Sequence, residues 1–256
     1  MASIVKKIVF LLFISTLLIS CKKEKYVLTK ITATTTEIDS TLASDQSITK
    51  TIAPFKKKMI AEINTVISYT PKNLVRTDGD LESSLGNLIA DLSYQRSNPI
   101  FNKMTGKNID FAMFNYGGIR AGINKGEITN RHAFELMPFE NLFVVVELSG
   151  EKMNELIQYL IKGNTAHPLS KQVQLTISNT GFDFKINNKP FDESKTYHVL
   201  TTDYLQSGGD LMNFFKNPLK RYSLEYKMRD GIVDYFKSVD TLHSKLDGRF
   251  KRKENG

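Results

Sequence analysis

The sequence predicts an α+β fold, a single domain in which helices pack on a mixed β-sheet. Three observations predict it. Runs that alternate every second residue and runs with apolar residues at three- and four-residue steps are mixed irregularly along the chain, not in strict βα alternation. Two short alternating runs, residues 173–177 and 182–186, flank Asn179-Thr180-Gly181 and read as a late hairpin. No period of about 20–50 residues recurs, which argues against a solenoid. The composition, 41% hydrophobic and 24% charged over 256 residues, is that of a globular chain with room for a substantial core.

The chain opens with Lys6 and Lys7, then an apolar run over residues 8–19 broken only by Ser15 and Thr16. That run is shorter than the about twenty apolar residues of a spanning helix and fits the h-region of an export signal. It ends in Leu18-Ile19-Ser20-Cys21, and Cys21 is the only cysteine. This ending resembles a bacterial lipobox, in which the cysteine becomes the lipidated first residue. Ile19 is bulkier than is usual there, and a plain signal peptide with a chance cysteine is the alternative. The expected plan is a lipoprotein signal at 1–20, a tether at 21–47, the domain at 48–250 and a basic tail at 251–256. Anchored through Cys21, the chain would sit on a membrane of the bacterial cell envelope, on the periplasmic face or the outer membrane. One cysteine allows no intrachain disulfide and no cysteine-based zinc site.

Residues 22–47 are rich in Lys, Thr and Ser, with an edge strand conceivable at 28–33. Residues 48–67 carry Ile52, Phe55, Met59, Ile60, Ile63, Val66 and Ile67 at mostly helical steps, with Pro54 expected in the first turn. After the turn Thr77-Asp78-Gly79-Asp80, residues 82–96 form a second helix with Leu85, Leu88, Ile89 and Leu92 on one face and Gly86 inside it. Asn98-Pro99 is expected to end it. Residues 109–114 are apolar apart from Asp110 and read as a central strand. Thr129 or Asn130 caps a short helix through Leu136, and residues 142–148 (LFVVVEL) form a strand. Ser149-Gly150-Glu151 starts a helix over 152–161, residues 197–201 form another strand, and residues 226–239 a last amphipathic helix before a frayed basic end.

Three loops combine aromatic, polar and glycine residues. Asn115-Tyr116-Gly117-Gly118-Ile119-Arg120 follows the apolar run. Phe139-Glu140-Asn141 follows Pro138. Tyr204 to Asp210 encloses Gly208 and Gly209. Glycine admits positive φ and close backbone approach, arginine offers a planar fork for phosphate, and a carboxylate accepts from hydroxyls. Two aromatics can stack on both faces of a flat ring. Each loop read alone is also compatible with a plain turn or a core aromatic. The formal net charge of +8 is dispersed, with clusters only at residues 56–58 and 249–253. It suits anionic small molecules or an anionic surface, and no motif points to nucleic acid.

Five segments together resemble the C-terminal, substrate-binding domain of the 5′-nucleotidase and UDP-sugar hydrolase family: LGNLIADL (85–92), FNYGGIRAGINKGEIT (114–129), MPFEN (137–141), VVVELSGEKMNELI (144–157) and DYLQSGGD (203–210). They occur in the family's order and span roughly residues 50–236. The resemblance implies a 5′-nucleotidase C-terminal-like fold and a nucleotide or nucleoside ligand. It implies a base contact by Asn115, a ribose and phosphate contact by Arg120, and stacking by Phe139 and Tyr204, the latter usually phenylalanine. Asp210 would bind ribose, Gly117, Gly118, Gly208 and Gly209 would shape the loops, and Asn141 would complete the pocket. Two positions depart from the pattern. Tyr116 stands where a third glycine is common, and Leu81 stands where some members carry an arginine before the LGN helix, a place that Arg76 only partly fills.

In that family the phosphate is cleaved on a separate dimetal domain, and two metals about 3.5–4 Å apart require several Asp, His and Asn ligands. The four histidines, His132, His167, His198 and His243, lie in no Asp-x-His or Gly-Asn-His arrangement. The expectation is therefore no catalytic residue, metal ligand or cofactor in this chain, with a divalent metal pair on a separate metallophosphoesterase chain. A non-catalytic nucleoside- or nucleotide-binding lipoprotein is the alternative.

Overall fold

The computed structural model describes residues 3–9 and 26–253; Cys21 and residues 10–20 of the expected export signal lie outside them. The elements in chain order are helix α1 (Gln46–Ile63), strand β1 (Val66–Thr70), helix α2 (Ser84–Thr105), strands β2 (Phe111–Ala112) and β3 (Gly126–Thr129), helix α3 (Asn130–Leu136), strand β4 (Leu142–Ser149) and helix α4 (Gly150–Gly163). Then follow strands β5 (Val173–Ser178), β6 (Gly181–Ile186), β7 (Lys189–Pro190) and β8 (Thr196–Thr202), the short helix α5 (Asp203–Gln206), strand β9 (Lys220–Lys227), helix α6 (Met228–Lys237) and strand β10 (Phe250–Arg252). Among the described residues no helix is long and apolar enough to cross a membrane.

Two compact units divide between Lys50 and Thr51. In the first, residues 26–45 contain no strand, so the edge strand conceivable at 28–33 does not form; Leu28 and Ile31 stay exposed and offer no apolar face to bury. Helix α1 starts earlier than expected because the Asp45 carboxylate accepts from the backbone N–H groups of Ser47 and Ile48 at 2.8 and 3.1 Å, a side-chain cap. Pro54 consequently lies inside the helix, and no residue of the helix is buried.

The second unit holds three sheets of order β1-β3, β10-β5-β6-β7 and β2-β8-β4-β9. The last is mixed: β2 runs parallel to β8, while β4 is antiparallel to both β8 and β9. Its core residues, among them Val144, Val145, Val146, Val199 and Leu200, are fully buried, as β-branched runs covered on both faces should be. Ser149 caps α4 by accepting from Lys152 N–H, and Thr129 caps α3 in a reciprocal pair with His132.

Several elements differ from expectation. Val66 and Ile67 continue the apolar count of α1 but open β1, which pairs with β3 and also donates Tyr69 N–H to Asp240 O at 3.1 Å. Helix α2 runs past Pro99 to Thr105 and ends on Gly106, whose φ of 72° gives the left-handed cap. Continuation buries Phe101 completely, against His198 and Tyr222, which offsets the lost N–H of proline. Strand β2 is at the margin of its sheet, not central. Its far side is covered by a loop, with Ala112 N–H donating to Ser170 Oγ, Ser170 N–H to Ala112 O and Phe114 N–H to Pro168 O, so it is buried without a second neighbouring strand. Tyr226 belongs to β9, and α6 begins only at Met228. The C-terminal segment is not frayed at 250–252: β10 pairs parallel with β5. It is held there by Arg249, which is 5% exposed and bonds Asp91 and Asp247.

Candidate nucleotide-binding cleft

The three polar and aromatic loops converge. Asn115, Gly117, Gly118, Arg120, Phe139, Asn141, Tyr204 and Asp210 line one cleft of about 270 Å³. Gly208 and Gly209 do not line it, and act on the backbone of the third loop.

The first loop leaves the β2 segment with Asn115 extended and Tyr116–Gly118 in a single 3-10 turn. Gly117 and Gly118 are not among the positive-φ residues, so their use is space and not left-handed geometry. A Cβ on Gly118 would stand 2.7 Å from Asn115 Oδ1, and one on Gly117 3.4 Å from Asp210 Oδ2. Two residues outside the cleft hold the loop. Arg76 lies 4.4 Å over the Tyr116 ring and donates to the carbonyls of Tyr116 and Ile119 at 3.3 and 2.8 Å. His167 accepts the Tyr116 N–H on Nδ1 at 3.1 Å. Burial holds the His167 imidazole down at about 4, so it is neutral and able to accept. Arg76 is thus used by the loop, and Leu81 is buried in the core. Arg120 is exposed; its guanidinium donates to Gly117 O at 3.3 Å.

Phe139 follows α3 and is 39% exposed. Arg229, buried on α6, donates to its carbonyl at 3.3 Å and pairs with Glu140. Bonds from Lys227 and Arg229 hold the Glu140 carboxyl at about 2.

The third loop begins where Thr202 caps α5. Gly208 has φ of 96°, a conformation that disfavours any other residue. The Tyr204 ring lies on Gly209, where a Cβ would meet ring carbons at 2.5 Å. Asp210 follows with φ 50° and ψ 31°. Its carboxylate accepts from Asn115 Nδ2 at 2.6 Å and from the Tyr204 hydroxyl at 3.0 Å, and its carbonyl accepts from the Tyr159 hydroxyl at 3.0 Å. The bond to Asp210 raises the Tyr204 hydroxyl above its ordinary value, which keeps it a donor. The cleft therefore offers two partly exposed aromatic faces, an amide, a carboxylate and a guanidinium, enough to stack a flat ring and bond a polyhydroxyl group and an anion.

Among the described residues no three His, Cys, Asp or Glu side chains gather closely enough to hold an ion. The donor set does not fit a dimetal centre. His132 caps α3, His167 serves the glycine loop, and His198 stands between Asp110 and Glu147 at 3.8 and 3.9 Å from opposite ring nitrogens. Sequence reasoning missed Tyr159, His167 and Arg229 as supports of the cleft. Tyr159 borders the apolar stripe of α4, where a half-buried tyrosine signals a hydroxyl in need of a partner. The other two partner backbone atoms far away in sequence.

Comparison with known proteins identifies the family and the fold. A model of the family described as 5′-nucleotidase, C-terminal domain matches residues 60–217. The trifunctional nucleotide phosphoesterase protein YfkN of Bacillus subtilis is 28% identical over 77% of this chain and 14% of its own length. Cell wall protein Lmo0130 of Listeria monocytogenes is 28% identical over 66% of this chain and 24% of its own. The crystal structure of the 5′-nucleotidase precursor from Thermus thermophilus superposes with a TM-score of 0.67 at 23% identity, over 81% of this chain and 43% of that one, which shows a shared fold. The chain thus spans less than half the length of each of these relatives. With five ordered motifs, a mixed sheet and three loops meeting in one cleft, and a family match over most of the folded unit, the chain belongs to the 5′-nucleotidase C-terminal domain family.

Proposed function

We propose that this chain is the nucleotide- or nucleoside-binding half of a split 5′-nucleotidase. It supports hydrolysis of nucleotide phosphate esters by a separate metallophosphoesterase chain that carries the divalent metal pair. The observation that carries this reading is the single cleft built from three loops far apart in sequence. Phe139, Tyr204, Asn115, Asp210 and Arg120 line it together; in this reading the two rings stack the base, Asn115 bonds its edge, Asp210 accepts from the ribose and Arg120 serves the phosphate. Holding the substrate beside a metal centre converts binding energy into effective concentration; the water, the metals and the bond cleavage belong to the partner. The proposed location is the cell envelope, on a lipid at Cys21, with one relative named a cell wall protein in support.

One observation favours a second reading, a binding lipoprotein without catalysis. Leu81 is apolar and buried, and Arg76 is spent on the glycine loop. Arg120 is left as the arginine among the described residues that line the cleft, which weights recognition towards base and sugar over phosphate.

The test is to mix the chain with an exported dimetal phosphoesterase that lacks a second domain and to follow phosphate release from nucleoside monophosphates. The split-enzyme reading expects a clear gain over the phosphoesterase alone. Loss of one stacked ring in Phe139→Ala should weaken ligand binding roughly 5- to 150-fold and remove the gain. Tight binding with no gain points to the second reading, and no binding by calorimetry sinks both.

A further inference from the structure

We infer that Tyr159 is a positioning residue for this cleft: by holding the Asp210 carbonyl it fixes the left-handed turn from which the Asp210 carboxylate reaches sugar hydroxyls. This rests on the nucleotide reading of the cleft and extends it to a residue on α4 that does not line it.

The argument begins with the backbone. Asp210 and Leu211 follow one another at φ of 50° and 61°, a region that non-glycine residues seldom adopt and that persists only where surroundings impose it. Leu211 is 80% exposed, so its own packing does not impose it. Hydrogen bonds remain: the Met212 N–H closes the turn onto Gly209 O at 3.0 Å, and the side-chain bonds to Asp210 itself are of two kinds. Asn115 and Tyr204 bond the carboxylate, and both line the cleft, so a bound sugar competes with them for the same oxygens. Tyr159, which does not line the cleft, bonds the carbonyl, an oxygen other than those for which the sugar competes. When ligand enters, the Tyr159 bond is the side-chain bond to Asp210 left unchanged, and it anchors the closed turn to α4.

Tyr159 is well placed for this. Its ring packs edge-on against Phe214 and tilted against His167, both with centroids 5.3 Å away. His167 in turn accepts the Tyr116 N–H, so one pair of rings touches the loop of Asn115 and the loop of Asp210. Burial and the nearby Asp210 charge raise the Tyr159 hydroxyl, which keeps its proton available for donation.

The experiment compares the full chain with its Tyr159→Phe variant, using adenosine, guanosine, cytidine and uridine 5′-monophosphates and their 2′,3′-dideoxy counterparts as probes in calorimetry. Melting temperatures are recorded alongside. Removing one neutral hydrogen bond is expected to weaken the best ribonucleotide by about 3- to 10-fold, to leave its dideoxy counterpart within about 2-fold, and to move the melting temperature little, because the ring contacts survive. Equal losses on both ligands would mean that Tyr159 merely supports the fold, and no loss on either would mean that the turn holds itself; each overturns the inference. If the wild type binds the ribo and dideoxy ligands equally well, Asp210 does not read the sugar and the inference fails while the nucleotide reading stands. If the wild type binds none of the probes, the nucleotide reading itself fails.

Discussion

His167 shows how one side chain behind the cleft sets a property of the whole. Its imidazole is held at about 4 against an ordinary 6.5, chiefly by burial. Between those two values the unfolded chain binds the extra proton and the folded chain does not, so stability is full above about 6.5 and falls as pH drops towards 4. The loss amounts to about 3 kcal/mol across that window. His198, lowered by burial despite Asp110 and Glu147, adds in the same direction. Glu140 and Asp192, both held at about 2 by their partners, act only at lower pH, as it falls from the ordinary carboxylate range towards 2. Denaturant unfolding at pH 7.0 and 4.5 should therefore show a marked loss for the wild type and a smaller one for His167→Asn; identical slopes would refute this. At this scale the sequence was legible where a residue's chemistry points outward. Asn115, Arg120, Phe139, Tyr204 and Asp210 meet in one cleft. It was not legible for His167 or Arg229, which bond backbone atoms of residues 51 and 90 positions away.

Among the elements, local signals read well where the cap and the burial agree. Ser149 caps α4 and Thr129 caps α3, and β4 takes nearly the bounds its β-branched run implies. They read poorly where tertiary burial overrides them. Pro99 is a stop signal that Phe101 cancels, and the apolar count of α1 carries on into β1 because both elements use the same residue types. Gly150 is a case that structure alone explains. It opens α4 with ordinary φ, yet a Cβ there would lie 1.9 Å from the Glu193 carbonyl oxygen. That backbone contact cannot swing aside, so Gly150→Ala should cost about 3 kcal/mol, or roughly 6–12 °C in Tm, by scanning calorimetry. A change under 2 °C would show that the 193 loop yields freely.

Across the whole molecule, the fold class was legible because strands and helices alternate irregularly and a hairpin sits late, and the mixed β2-β8-β4-β9 sheet follows. The closing contact was not. The basic stretch near residue 250 looks like solvated charge until Arg249 is seen buried between Asp91 and Asp247, joining the strand β10 to helix α2. Arg249→Met strands two half-buried carboxylates and should cost about 3–5 kcal/mol, read as a fall in the denaturation midpoint; a stability unchanged within 1 kcal/mol would mean that solvent already serves those carboxylates. The strand that Arg249 secures has a consequence for biogenesis. Residues 250–252 emerge from the ribosome after every other strand described above, and they pair in parallel with β5, made much earlier. Until they emerge, one sheet lacks its margin and Asp91 its guanidinium. A nascent polypeptide with this wiring closes that sheet, and pairs Asp91, only once its last residues have been made.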